Sequence, residues 1–119
     1  MIITNMCQKP KDTEKTYNIF ISQPMRGLTD NEIEEKRLQI ENTLKELGFK
    51  NYKILDSFFK GAPISAKPLW FLGKSFEILS SADVVYFAEG YVKARGCSME
   101  YEAWSKYLHS GGVLCYAEH

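Results

Sequence analysis

Two blocks of this sequence hold residue types that recognise anions and sugars. In Ser22-Gln23-Pro24-Met25-Arg26-Gly27, an arginine sits in a short polar stretch between an apolar run and a helical pattern. At such a junction free backbone amides and the helix dipole favour an anion. A guanidinium adds a bidentate contact to phosphate or carboxylate. An arginine that caps a turn or pairs with a surface carboxylate would have the same spacing. The second block, Gly96-Cys97-Ser98-Met99-Glu100, puts small residues at a loop-to-helix junction and a carboxylate within the helix's first turns. A glutamate held there beside a sugar can attack the anomeric carbon or stabilise its developing positive charge, the chemistry of glycosidic-bond cleavage. Acidic residues also stabilise first turns whatever the function, so helix-start electrostatics is the competing account of Glu100.

Other residues add less. Asp56 ends a strand-like run and could accept from a ribose hydroxyl or form a turn. Asp83 precedes an apolar run and is grouped with the ligand residues, with loop ordering or turn capping as its alternative. Phe58, Phe59, Trp70 and Phe71 are available to stack on a base or to fill the core. Glu102 reads as solvated, and Cys97 as a packing residue rather than a nucleophile because no histidine accompanies it. Neither the Walker lysine pattern nor GxGxxG occurs, which sets aside ATPase and dinucleotide chemistry. Cys7, Cys97 and Cys115 are widely spaced, with no CxxC or Cys/His ligand pair. No metal and no cofactor is expected, and a reduced, cytoplasmic setting is. Fifteen basic residues balance fifteen acidic ones, so a nucleic-acid polymer and an anionic membrane are disfavoured as partners. The first sixteen residues are charged, lack an apolar run long enough for a signal peptide or a membrane span, and read as a tail with at most a short ordered stretch.

The elements that must position these residues follow from period and punctuation. At 119 residues one core is expected, spanning 17–119. Tyr17–Ser22 is rich in β-formers and stops before Pro24. Thr29 and Glu32 have capping-box spacing, and Ile33, Arg37, Ile40, Leu44 and Leu47 recur at helical intervals up to Gly48. Tyr52–Asp56 reads as a strand. Pro68 opens a second helix whose inward face is expected to be Leu69, Phe71, Leu72, Phe76 and Leu79. The unbroken apolar run Val84–Ala88 suits a strand covered on both faces. A third helix, Gly96–His109, is expected to turn Met99, Ala103, Tyr107 and Leu108 inward, and Val113–Ala117 closes the series. This alternation predicts an α/β fold with a mainly parallel sheet of four to five strands between helical layers. Ligands in such folds lie beyond the carboxyl ends of the strands. That edge takes in Ser22 to Leu28, Asp56 to Lys67 and Glu89 to Glu100.

Phe20-Ile21-Ser22-Gln23-Pro24-Met25-Arg26-Gly27, then Ala82-Asp83-Val84-Val85, then Gly96-Cys97-Ser98-Met99-Glu100, taken in order, resemble the nucleoside 2-deoxyribosyltransferase-like superfamily. The resemblance covers Tyr17 to Ala117 and is nearest to a small uncharacterised branch common in phages and their hosts, DUF4406. It implies a flavodoxin-like three-layer sandwich, a homodimer or larger homo-oligomer with sites completed by a neighbour, and transfer or hydrolysis at the N-glycosidic bond of a nucleoside or nucleotide. Under it Glu100 matches the catalytic glutamate and Arg26 the phosphate-side arginine. Ser22, Gln23, Pro24, Met25, Gly27, Asp56, Asp83, Gly96 and Ser98 are the expected ligand contacts beside them. Three positions depart: Phe20 replaces a tyrosine, Ser75 a base-contacting aspartate, and Ala94 an aspartate or a phosphate-binding serine. The departures leave open a non-catalytic binder that senses or sequesters a nucleotide-derived ligand.

Overall fold

The computed structural model of the 119-residue chain describes residues 3–5, 10, 12, 14–59 and 61–119. The elements run β1 (Ile3–Asn5), β2 (Tyr17–Ser22), α1 (Asp30–Glu46), β3 (Tyr52–Ile54), α2 (Pro68–Leu79), β4 (Val84–Phe87), α3 (Arg95–Ala103) and β5 (Leu114–Glu118). The five strands form one sheet in the order β1-β5-β4-β2-β3. The last four are mutually parallel and β1 pairs antiparallel on the β5 edge. This is the flavodoxin-like three-layer α/β sandwich. Residues 3–5, expected within the tail, lengthen the sheet by one strand. Among the described residues no helix is long and apolar enough to cross a membrane.

The order of strands follows from short crossovers. From β2 the chain crosses through α1 to β3 on one side of β2, and from β3 it crosses through α2 to β4 on the other side. The direction of winding reverses between β2 and β4, which opens a crevice at their carboxyl ends. In the register of this pair Ser22 lies opposite Phe87, and the Ala88 amide donates to the Ser22 carbonyl at 2.8 Å.

Helix α1 starts where its sequence requires. The Thr29 hydroxyl accepts from the Glu32 amide at 3.2 Å, and the Glu32 carboxylate accepts from the Thr29 amide at 3.0 Å. Its buried residues are Ile33, Ile40 and Leu44, of which Ile40 and Leu44 pack with Ile19, Ile21, Tyr86 and Phe49 on one face of the sheet. Each fully buried aliphatic side chain there stabilises the fold by about 2 kcal/mol. The opposite face holds Phe20, Val85, Phe87, Cys115 and Leu79 with Cys97 and Trp104 of the α3 layer.

That second layer departs from the sequence pattern. Of α2 only Leu79 is buried, while Leu69 is 76% exposed and Phe71 and Phe76 are each 36% exposed. In α3 the inward residues are Cys97 and Glu100, followed by Trp104 just past its end. Met99 and Tyr107, expected inward, point out. Reading apolar as inward fails because the helix turns a carboxylate into the protein at Glu100. Beyond Ala103 it loosens into a π-helical segment, Trp104–Leu108, that rotates the later residues off the regular period. The Trp104 indole donates to the Val113 carbonyl at 3.0 Å and ties this segment to the entry of β5.

A second buried carboxylate closes the other side of the same sheet edge. The side chain of Glu118 is fully buried, with the Lys36 ammonium at 2.9 Å and the Glu89 amide donating at 2.8 Å. The Tyr86 hydroxyl also donates to it, and burial together with this carboxylate raises the Tyr86 pKa. One side chain at the end of β5 thereby holds α1, β4 and the loop that leads to α3.

Candidate functional site

The carboxyl edge of β2 and β4 is bordered by the β2–α1 loop, the β4–α3 loop and the start of α3. Ser22 ends β2 with its side chain toward α2 and α3, and its hydroxyl donates to Glu100 Oε1 at 2.7 Å. Both residues are almost completely buried. The Ser75 hydroxyl, from α2, also acts on this carboxyl. Burial drives the Glu100 pKa from an ordinary 4.5 up to about 7, against the opposing pull of the two serine hydroxyls. Near neutral pH the carboxyl therefore has both protonation states within reach, as acid–base or nucleophilic work requires. A carboxylate serving only the helix start would sit in solvent and titrate low, so helix-start electrostatics does not account for Glu100.

Gly96 stands one turn before Glu100 on the same face of α3, and a side chain added there would meet nothing within 4 Å. Cys97 is buried beneath, its thiol raised to about 11, first by burial. It packs and does not attack. Ser98 turns its hydroxyl to the Arg95 carbonyl at 3.0 Å and is not brought to Glu100. Glu102 is on the outer side, paired with Lys106 at 2.7 Å.

Arg26 sits at the tip of a β-turn in which the Leu28 amide donates to the Met25 carbonyl at 3.1 Å and Gly27 takes a φ of 81°. Its side chain is exposed and, among the described residues, has no ion-pair partner. The turn leads directly into the amino end of α1, so the positive charge stands at the rim of the crevice. Pro24 meets the other loop, since a Cβ on Gly90 (φ 89°) would lie 3.4 Å from its ring. The two loops come close there, and glycine suits the left-handed backbone at position 90.

Two expected ligand residues, Gln23 and Asp83, lie elsewhere, while Asp56 is at the carboxyl end of β3. Gln23 is buried on the α1 side, where its amide nitrogen donates to the Ile33 carbonyl at 3.3 Å and its Oε1 has no partner among the described residues. Strand alternation sends Ser22 and Gln23 to opposite faces, so only Ser22 reaches Glu100. Asp56 forms a turn, accepting from the Phe58 amide at 3.2 Å. Asp83 is at the opposite edge of the sheet: its carboxylate accepts from the Asn18 amide at 2.8 Å and lies 3.6 Å from Lys15. A residue that precedes a parallel strand falls at the amino edge, and Asp83 therefore pins β2 to β4 rather than touching a ligand.

Two groups were missed in the sequence. Arg37 donates to the Ser57 hydroxyl at 2.6 Å, and that hydroxyl donates to the Ile21 carbonyl at 2.8 Å. Burial lowers the Arg37 pKa. Only the helical interval from Ile33 to Arg37 hinted that this arginine faces the sheet. Glu118, the other, had no local signal. Phe59, Trp70 and Phe71 pack on one another at 5.1 to 6.3 Å between ring centres. Among the described residues no three His, Cys, Asp or Glu side chains gather as a metal-ligand set.

Of the family departures, Phe20 is fully buried among core residues and Ala94 forms the cap position of α3. Ser75 adds its hydroxyl to the Glu100 environment. Comparison of the chain with protein families, with curated proteins and with solved structures found no match.

Proposed function

We propose that the crevice at the carboxyl ends of β2 and β4 takes a nucleoside or nucleotide and that Glu100 acts on its N-glycosidic bond, in hydrolysis or in transfer. The observation that carries this reading is the buried Glu100 carboxyl, raised to about 7 and held by Ser22. In its ionised form the carboxylate attacks the anomeric carbon as the C–N bond breaks, and the electron pair leaves with the base. Water or a second base then takes the sugar. Arg26, exposed at the rim, receives an anionic tail of the ligand. Resemblance to the deoxyribosyltransferase-like superfamily supports the same assignment, and the reading has the protein work in the cytoplasm of a bacterium or a phage-infected host.

A second reading has its own support. Phe20 gives the site no hydroxyl, and Gln23 and Asp83 are occupied elsewhere, so the polar contacts that would orient a sugar for cleavage are few. On this reading the protein senses or sequesters a nucleotide-derived ligand without turnover. Chromatography of a nucleoside and nucleotide panel after incubation separates the two. Release of free base, reduced roughly a thousandfold or more in Glu100→Gln with ligand affinity retained, is the enzymatic result. Intact ligand, with affinity lost in Glu100→Gln, is the result of a binder and overturns catalysis.

A further inference from the structure

Glu100 is a buried carboxyl without a counterion. The Ser22 hydroxyl at 2.7 Å and the Ser75 hydroxyl are neutral dipoles, and the Cys97 thiol of its own helix, which also faces it, is kept neutral by burial. Among the described residues no ammonium or guanidinium lies within 4 Å of it. Lys74, the neighbour of Ser75 on α2, turns to Glu77 at 3.4 Å, and Arg26 stands exposed at the rim. The other buried carboxylate, Glu118, differs in this respect, with the Lys36 ammonium at 2.9 Å. An ionised carboxylate out of water is costly unless a positive charge meets it. No residue meets Glu100 in this way, but a cationic ligand would.

The same edge is short of a proton donor. When an N-glycosidic bond breaks, its electron pair goes to the base. A neutral purine or pyrimidine then leaves as an anion unless an acid protonates it, and glycoside-cleaving sites ordinarily hold that acid as a second carboxyl near the first. No second carboxyl acts on Glu100. Asp83 lies at the opposite edge of the sheet, and Glu102 is on the outer side with Lys106. Asp56, Glu89 and His119 are exposed past the ends of β3, β4 and β5. The Cys97 thiol, raised to about 11, is too weak an acid for the task. Glu100 itself cannot attack as a carboxylate and donate a proton in the same step.

One class of ligand answers both shortages. A base joined to its sugar through a positively charged ring nitrogen supplies the missing cation when bound and requires no proton to leave. We propose that the crevice takes N-glycosides of a cationic base of the pyridinium type, with Glu100 set against the charged glycosidic nitrogen. The proposal rests on the reading of Glu100 as the group that acts at the glycosidic bond. The carboxylate attacks the anomeric carbon, the C–N bond breaks, and its electron pair neutralises the ring nitrogen, so the base departs uncharged. Water then hydrolyses the glycosyl ester, which returns Glu100 to a carboxylate and releases one proton to solvent.

The test is calorimetric titration of the full chain with two ligands that cannot be cleaved. The carbocyclic analogue of nicotinamide riboside is a pyridinium cation, whereas benzamide riboside has nearly the same outline and no charge. At pH 8 the cation is expected to bind about tenfold tighter or more, the worth of one charge-assisted contact. Because it pairs with ionised Glu100 only, its affinity should rise about tenfold between pH 6 and pH 8, across a carboxyl that titrates at about 7. The affinity of benzamide riboside should not rise. Glu100→Gln should abolish both the preference and the pH dependence while circular dichroism remains that of the folded chain. Equal affinities for the two ligands, a preference that survives Glu100→Gln, or binding of neither ligand overturns the proposal. Turnover is read separately, as release of free base from nicotinamide riboside, inosine and uridine, each relative to its spontaneous rate. Release of nicotinamide alone is expected. Cleavage of inosine or uridine with no preference for the cation overturns this ligand class and leaves the wider reading of Glu100 standing. Preference for the cation through Glu100 with no release overturns cleavage and upholds the ligand class.

Discussion

Replacing Glu100 with glutamine should stabilise the protein, and by an amount that grows with pH. The folded state holds the carboxyl in a buried setting where its pKa is about 7, whereas in the unfolded chain it returns to an ordinary 4.5. A raised folded-state pKa favours folding while the group is protonated, and that advantage is lost as pH rises from 4.5 through 7. The difference between the two pKa values corresponds to about 3 kcal/mol. Glutamine retains an oxygen to accept from Ser22 and has no charge to bury. Below pH 4.5 the two proteins should therefore have nearly equal stability. By pH 8 the variant should be ahead by about 3 kcal/mol, an upper figure because water can relax around the charged form. Urea titrations of both proteins at half-unit steps from pH 4 to 8, analysed as two-state transitions, measure the gap directly. A gap that is constant across this range, or that narrows as pH rises, would refute the account of Glu100 as a buried carboxyl with a raised pKa.

Three further outcomes are expected. Arg26→Ala should weaken phosphorylated ligands by about ten- to a hundredfold and neutral nucleosides far less, as read by calorimetric titration; equal losses remove the phosphate role. Glu118→Ala removes an acceptor shared by Lys36, Tyr86 and the Glu89 amide and should cost about 3 kcal/mol or more in denaturant unfolding. Gly90→Val forces a β-branched residue into a φ of 89° and should cost about 2 kcal/mol; an unchanged melting temperature would refute the left-handed backbone at that position.

The parts of the fold that local chemistry dictates were legible in the sequence. Helix α1 announces itself through the Thr29–Glu32 box and the Ile33, Ile40 and Leu44 stripe, and Val84–Phe87 through an apolar run that only a doubly covered strand needs. Glu100 was legible as a carboxylate at a helix start, but its inward partner is Ser22, 78 residues earlier in the chain, and its raised pKa comes from burial, neither of which a local pattern announces. Glu118 and Lys36 are 82 residues apart, and no local pattern links them. Asp83 shows a different limit. Its place before β4 already implied the amino edge of a parallel sheet, and grouping it with ligand residues gave its acidity more weight than the direction of the strand. Met99 and Tyr107 were read as inward on hydrophobicity alone, which fails in a helix whose inner face is given to Glu100 and whose last turns widen.

The sheet also divides the molecule by risk. On one side Ile40, Leu44, Phe49 and Tyr116 form a core that Ser22 and Glu100 do not enter, and Ser22, Ser75 and Glu100 all lie on the other. Substitutions separated by that central layer share few neighbours, so their energetic effects should add rather than interact. A lineage could tighten the α1 side and spend the surplus on destabilising changes around Glu100. The chemistry of the crevice is thus free to drift without the fold's consent being sought at each step.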